Sequence, residues 1–119
     1  MTDFPITIFH NPNCSTSRKV LDALREAGHA PQVVEYARTG WDRARLEGLL
    51  ARMGAGPRDV LRAKGAQAEA AAKLEGASDA ALLQAMVEDP LLVERPIVET
   101  PKGVVLARPP ERISEVLPD

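Results

Sequence analysis

Short β-branched runs at the two ends of this chain enclose a long middle stretch in which apolar residues recur at helical spacing. Ile6, Thr7, Ile8 and Phe9 form a β-branched and aromatic run closed by the turn residues Asn11-Pro12-Asn13, which predicts a first buried strand. From Ser15 to Ala27 the apolar positions Val20, Leu21, Leu24 and Ala27 follow a helical period, and Gly28 is placed to end that helix. Pro31 leads into Gln32-Val33-Val34-Glu35-Tyr36, a second short strand. The first forty residues therefore predict a βαβ unit, whose right-handed crossover makes the two strands parallel.

From Asp42 the period lengthens into helices. Leu46, Leu49, Leu50 and Met53 share one face, with Asp42 as N-cap and Gly54 as stop. Gly56-Pro57 opens a further short helix through Val60, Leu61 and Arg62, since proline suits the first helical turn. Ala66 to Leu74 is a weakly amphipathic helix ending at Gly76, and Ser78-Asp79 caps another that carries Leu82, Leu83, Met86 and Val87 up to Pro90. Positions 42–89 thus form a helical insert. Beyond it, Ile97-Val98-Glu99 and Val104-Val105-Leu106-Ala107 flank Thr100-Pro101-Lys102-Gly103, a hairpin with proline at the second turn position. Glu111 to Leu117 closes the chain with a helical turn or two. The element order, βαβ then helices then ββα, is that of an α/β protein.

At 119 residues, with 45% apolar and 27% charged positions, the chain has the composition of one ordinary globular domain. Its 15 basic and 17 acidic residues leave a charge of −2, so a general affinity for nucleic acid or an anionic membrane has no electrostatic basis. No apolar stretch approaches the length of a membrane span and the amino terminus has no export pattern, which predicts a cytoplasmic protein. A single cysteine, Cys14, removes an internal disulfide, a dithiol cycle and a cysteine-rich zinc site. With only His10 and His29 beside it, no dedicated metal centre is expected.

Cys14 falls where a strand hands over to a helix. Free backbone N–H groups and the positive end of the helix dipole stabilise a thiolate there. Asn11, Asn13, Ser15, Thr16 and Ser17 offer donors to an oxyanion or to the sulfur, and His10 at the strand end could polarise the site further. The alternative is a small buried thiol with no chemistry. Cys14 to Ser17 is a C-x-x-S arrangement, so any second thiol must come from outside the chain. Arg18 stands too close to Cys14 for a phosphatase loop, and His29 reads as an exposed helix-end residue. The hairpin supplies a second clue. With Pro101-Lys102 at the turn, Glu99 opposes Val104, Ile97 opposes Leu106 and Arg95 opposes Arg108. Opposed like charges destabilise a sheet unless an anion lies between them or both side chains splay into water.

The stretch Ile-Phe-His10-Asn-Pro-Asn-Cys14-Ser-Thr-Ser-Arg18, together with Glu-Arg95-Pro96-Ile97-Val98 downstream, resembles the glutathione- and glutaredoxin-dependent arsenate reductases of bacteria. The likeness extends from Ile6 to Asp119 in the same element order. It implies a single domain over 1–119 with a thioredoxin/glutaredoxin-like mixed four-stranded sheet and a helical insert. It also implies that Cys14 attacks arsenate, that His10 supports the thiolate, and that Arg62, Arg95 and Arg108 hold the oxyanion; Asn13, Ser15 and Thr16 are substrate-binding candidates from their place around Cys14, and Asn13 and Ser15 stand where other members often have alanine and glycine. A cis bond at Arg95-Pro96 belongs to the same resemblance. Glutathione would then reduce the covalent adduct as a co-substrate, and glutaredoxin would clear the mixed species as arsenite departs, with no bound cofactor or metal. Two other functions are compatible with parts of this pattern: a redox or transcriptional adaptor, which the C-x-x-S spacing disfavours, and a glutathione-linked thiol transferase using the same Cys14.

Overall fold

The computed structural model describes residues 4–118, and their contacts group into two units. The first comprises the chain up to Tyr36 and from Arg95 onward; the second is Ala37–Glu94.

The first unit is built on a four-stranded sheet. β1 (Thr7–His10) pairs in parallel with β2 (Gln32–Glu35) and antiparallel with β3 (Ile97–Thr100), which pairs antiparallel with β4 (Gly103–Leu106), giving the order β2-β1-β3-β4. The hairpin register is the one its turn chemistry predicts: Ile97 opposes Leu106 and Glu99 opposes Val104. Side chains alternate across a strand, so the register that aligns Ile8 with Val98 and Val98 with Val105 puts all three on one face. Helix α1 (Ser15–Glu26) covers that face with Val20, Leu21 and Leu24, and Ala107 and Val116 complete the core. Val20, Leu24, Ile8 and Val98 have no solvent exposure.

Strand boundaries shift from the expected ones by one residue. β1 includes His10, while Tyr36 leaves β2 to begin a short helix, α2 (Tyr36–Thr39), in which its ring is buried. The closing segment Pro110–Glu115 winds as 3₁₀ helix, with Pro109 just before it and Pro110 as its first residue. It is tied back to the hairpin: Thr100 Oγ1 donates to Val116 O at 2.6 Å and Lys102 Nζ to Leu117 O at 2.9 Å. The Arg95-Pro96 and Arg108-Pro109 peptide bonds are both cis.

The second unit is helical. α3 (Arg43–Met53) is capped by Asp42, whose carboxylate accepts from the Arg45 N–H, and it ends at Gly54 with φ +69°, a left-handed value that favours glycine. α4 (Ala68–Ala72) is shorter than its alanine-rich sequence predicts, and α5 (Asp79–Glu88) is capped by Ser78. Leu46, Leu49, Leu82, Met86, Val60 and Val93 have no exposure, and α5 packs against α3 and the 3₁₀ turn Pro57–Val60. The helix expected to run through Arg62 stops at Val60. Leu61 instead forms an antiparallel bridge with Val93, flanked by Arg62 N–H to Leu92 O (2.7 Å) and Glu94 N–H to Val60 O (2.8 Å). Long-range pairing has overridden a weak local helix signal at this point.

Candidate active site

Cys14 occupies the N-cap position of α1 with extended dihedrals, held by its own N–H to Asn11 O at 3.0 Å. The loop before it is braced from both sides. Asn13 N–H donates to Asn11 Oδ1 (2.9 Å), and the Arg18 guanidinium reaches back to Pro12 O (2.8 Å). The cysteine is half-buried, so its sulfur is neither sealed in the core nor loose in solvent.

The hairpin places two arginines against that sulfur. Arg108 Nη1 lies 3.8 Å from Cys14 Sγ and donates to Arg95 O at 2.9 Å. Burial pushes the Cys14 thiol up; the Ser17 backbone N–H and the guanidiniums of Arg95 and Arg108 outweigh it and bring the thiol below its ordinary value. The shift favours the thiolate, the form that acts as nucleophile. The expected opposition of Arg95 and Arg108 therefore resolves without either being lost to solvent: Arg95 is 8% exposed and Arg108 half-buried, and both act on one sulfur.

His10 is buried at the end of β1 and its Nδ1 is hydrogen-bonded to Ser17 Oγ. That hydroxyl also accepts the Asn11 N–H at 3.1 Å, so Ser17 ties strand end, loop and helix together while its backbone N–H serves the thiolate. Burial, with help from Arg25 and Arg18, lowers the His10 pKa against the opposing pull of Glu35 and Asp22, so the ring is neutral at neutral pH. The donor role of Ser17 toward the sulfur is expected from the sequence; the link its hydroxyl makes between His10 and Asn11 is not. The signal for the donor is positional, the third helical residue of a helix capped by the nucleophile. Ser15 is exposed and Thr16 half-buried in the first turn of α1, and Asn13 is exposed in the loop. His29, expected to be exposed, is half-buried, its N–H bonded to Leu24 O at 3.0 Å.

Arg62 belongs to the second unit, where its Nη1 pairs with Glu94 Oε1 at 2.8 Å. Among the described residues no group of three or more His, Cys, Asp or Glu is arranged to hold a metal ion, and no helix is long and apolar enough to cross a membrane.

A mixed four-stranded sheet with the one cysteine half-buried at the mouth of its first helix defines a thioredoxin-like α/β protein. The comparisons narrow this to a family: the ArsC family model matches residues 9–116, and the chain belongs to the ArsC family. The arsenate reductase ArsI1 of Synechocystis sp. is 49% identical over 118 residues, spanning 98% of this chain and 82% of that protein. An arsenate reductase of Escherichia coli K12 is 41% identical over 115 residues, spanning 96% of this chain and 82% of its own. Among solved structures, an arsenate reductase from Vibrio cholerae superposes with a TM-score of 0.89 at 36% identity, covering 98% of this chain and 100% of the other.

Proposed function

We propose that this protein is an arsenate reductase in which Cys14 is the nucleophile and Arg62, Arg95 and Arg108 bind the oxyanion. The observation that carries this reading is the 3.8 Å approach of Arg108 Nη1 to Cys14 Sγ with Arg95 directly beside it. A thiolate and an oxyanion repel each other, so attack of one on the other needs cations that touch both. Guanidiniums supply that charge with donors suited to tetrahedral oxygens.

In the first step the Cys14 sulfur bonds to arsenic and one arsenate oxygen, taking up protons, leaves as water; arsenic keeps its oxidation state. Reduction needs two electrons. They come from two sulfurs, Cys14 and an incoming glutathione, when the glutathione thiolate attacks Cys14 sulfur and the S–As bonding pair departs with arsenic as arsenite. The resulting mixed disulfide is cleared by glutaredoxin, because the chain has no second cysteine to do so. Asn13, Ser15 and Thr16 contribute donors at the loop and first helical turn. His10 acts through Ser17, fixing the backbone N–H that faces the sulfur. The protein needs no bound cofactor in this scheme and works in the cytoplasm, where glutathione is abundant.

The test is a coupled assay containing arsenate, glutathione and glutaredoxin, run beside a glutathione mixed-disulfide substrate. Turnover that requires arsenate supports the reading. Disulfide turnover alone would reassign the protein as a thiol transferase, and no turnover with either would leave a binding or adaptor role.

A further inference from the structure

Arg62 and Glu94 are brought together by the short ladder around the Leu61–Val93 bridge. Arg62 lies across from Leu92 and Glu94 across from Val60, so the two side chains are diagonal neighbours on one face of the ladder. Both backbone positions are hydrogen-bonded in place, at 2.7 and 2.8 Å. The ion pair is well shielded, with side-chain exposures of 17% and 15%. A second feature marks the guanidinium: its Nε is buried and makes no hydrogen bond among the described residues. Arg62 is thus anchored by a carboxylate through one nitrogen, and part of its donor capacity is not used within the protein. Glu94 is also the residue immediately before Arg95 in the chain.

We propose that Glu94 is a specificity-determining residue of the oxyanion site: it positions Arg62 and offsets its charge, holding down the affinity for oxyanions such as phosphate. The inference rests on the reading of Arg62 as an oxyanion ligand. A carboxylate paired with a binding arginine has two opposed effects. It removes the freedom of a long side chain, which favours binding, and it repels the anion, which disfavours it. Glutamine in its place keeps an acceptor oxygen for Arg62 and removes the repulsion; alanine removes both. The two substitutions therefore separate the effects. The functional consequence is competition. Phosphate fits a guanidinium as arsenate does but cannot be reduced by thiols, so an uncompensated Arg62 would stay occupied by phosphate. A carboxylate at Arg62 keeps residence short and leaves selection to the chemistry at Cys14.

The experiment is calorimetric titration of the full chain with inorganic phosphate, in the wild type, Glu94→Gln, Glu94→Ala and each combined with Arg62→Ala, alongside kcat and KM for arsenate. The expected result is that Glu94→Gln binds phosphate about three- to tenfold more tightly, with a matching fall in KM and in the phosphate inhibition constant. Glu94→Ala should gain less than glutamine, and Arg62→Ala should erase both gains. Phosphate affinity unchanged or weakened in Glu94→Gln, the same gain without Arg62, or no phosphate binding by any variant would overturn the proposal. The two readings fail separately. Arsenate turnover with no Glu94 effect on phosphate removes this role and keeps the reductase; an Arg62-dependent Glu94 effect without arsenate turnover does the reverse.

Discussion

The two units of the chain place their candidate oxyanion-binding arginines by different means. In the sheet unit, Arg95 and Arg108 come from opposite arms of one hairpin and meet a cysteine more than eighty positions earlier in the chain because β3 pairs with β1. In the helical unit, Arg62 and Glu94 flank one isolated bridge, Leu61–Val93. The first arrangement is rigid by register, since a slip of one residue would turn every side chain to the other face. The second rests on a single backbone bridge and therefore relies on charge pairing to fix its side chains. Strong electrostatic work is concentrated where the backbone leaves least freedom.

The largest expected effect breaks the sheet unit's chemistry outright. Cys14→Ser should lower arsenate turnover by at least about a thousandfold while the thermal transition stays within a few degrees of wild type, because the hydroxyl is a far weaker nucleophile and sits in a half-buried position. Leu24→Ala comes next and attacks the scaffold instead. Leu24 has no exposure beneath the sheet, and its truncation should cost about 2–5 kcal/mol in denaturant unfolding. Arg108→Ala should reduce kcat/KM for arsenate by about 10- to 100-fold with little loss of stability, which would separate the hairpin's electrostatic role from its structural one.

Smaller effects sharpen the contrast between the units. Asp42→Ala removes a cap that serves only the helical unit, and should cost about 1 kcal/mol of stability with no change in Cys14 reactivity. The buried His10 gives a pH signature to the other unit. Its pKa is lowered on folding, so the unfolded chain takes up a proton first as pH falls. Stability conferred by the neutral ring is present above the ordinary imidazole range and lost progressively below it. Replacing His10 with asparagine should flatten that part of the stability profile, measured by denaturant midpoints across mildly acidic pH.

Much of the sheet unit was legible in the sequence because its signals are local. Asn11-Pro12-Asn13, Gly28 and Pro101-Lys102 mark where strands and helix end, and the hairpin register follows from the turn alone. The conjunction of Cys14 with a helix start was equally readable. The 3₁₀ segments were not, because proline at a first turn permits either helix type and tertiary pairing decides. Arg62 shows the cost: read as the end of a helix, it follows Leu61 of an isolated bridge whose partner, Val93, lies some thirty residues on. The link through the Ser17 side chain was hidden for another reason. It arises from His10 and Asn11 converging on one hydroxyl, a three-body geometry with no period to reveal it.

The central claim is that Arg95, Arg108 and the first turn of α1 lower the pKa of Cys14 and favour its thiolate. Its most direct test is the rate of alkylation of Cys14 by iodoacetamide as a function of pH, in the wild type and in Arg108→Ala. The account predicts a single titration below the ordinary thiol range in the wild type and a displacement to higher pH when Arg108 is removed. A wild-type thiol that titrates at or above the ordinary range, or one indifferent to the loss of Arg108, would contradict it.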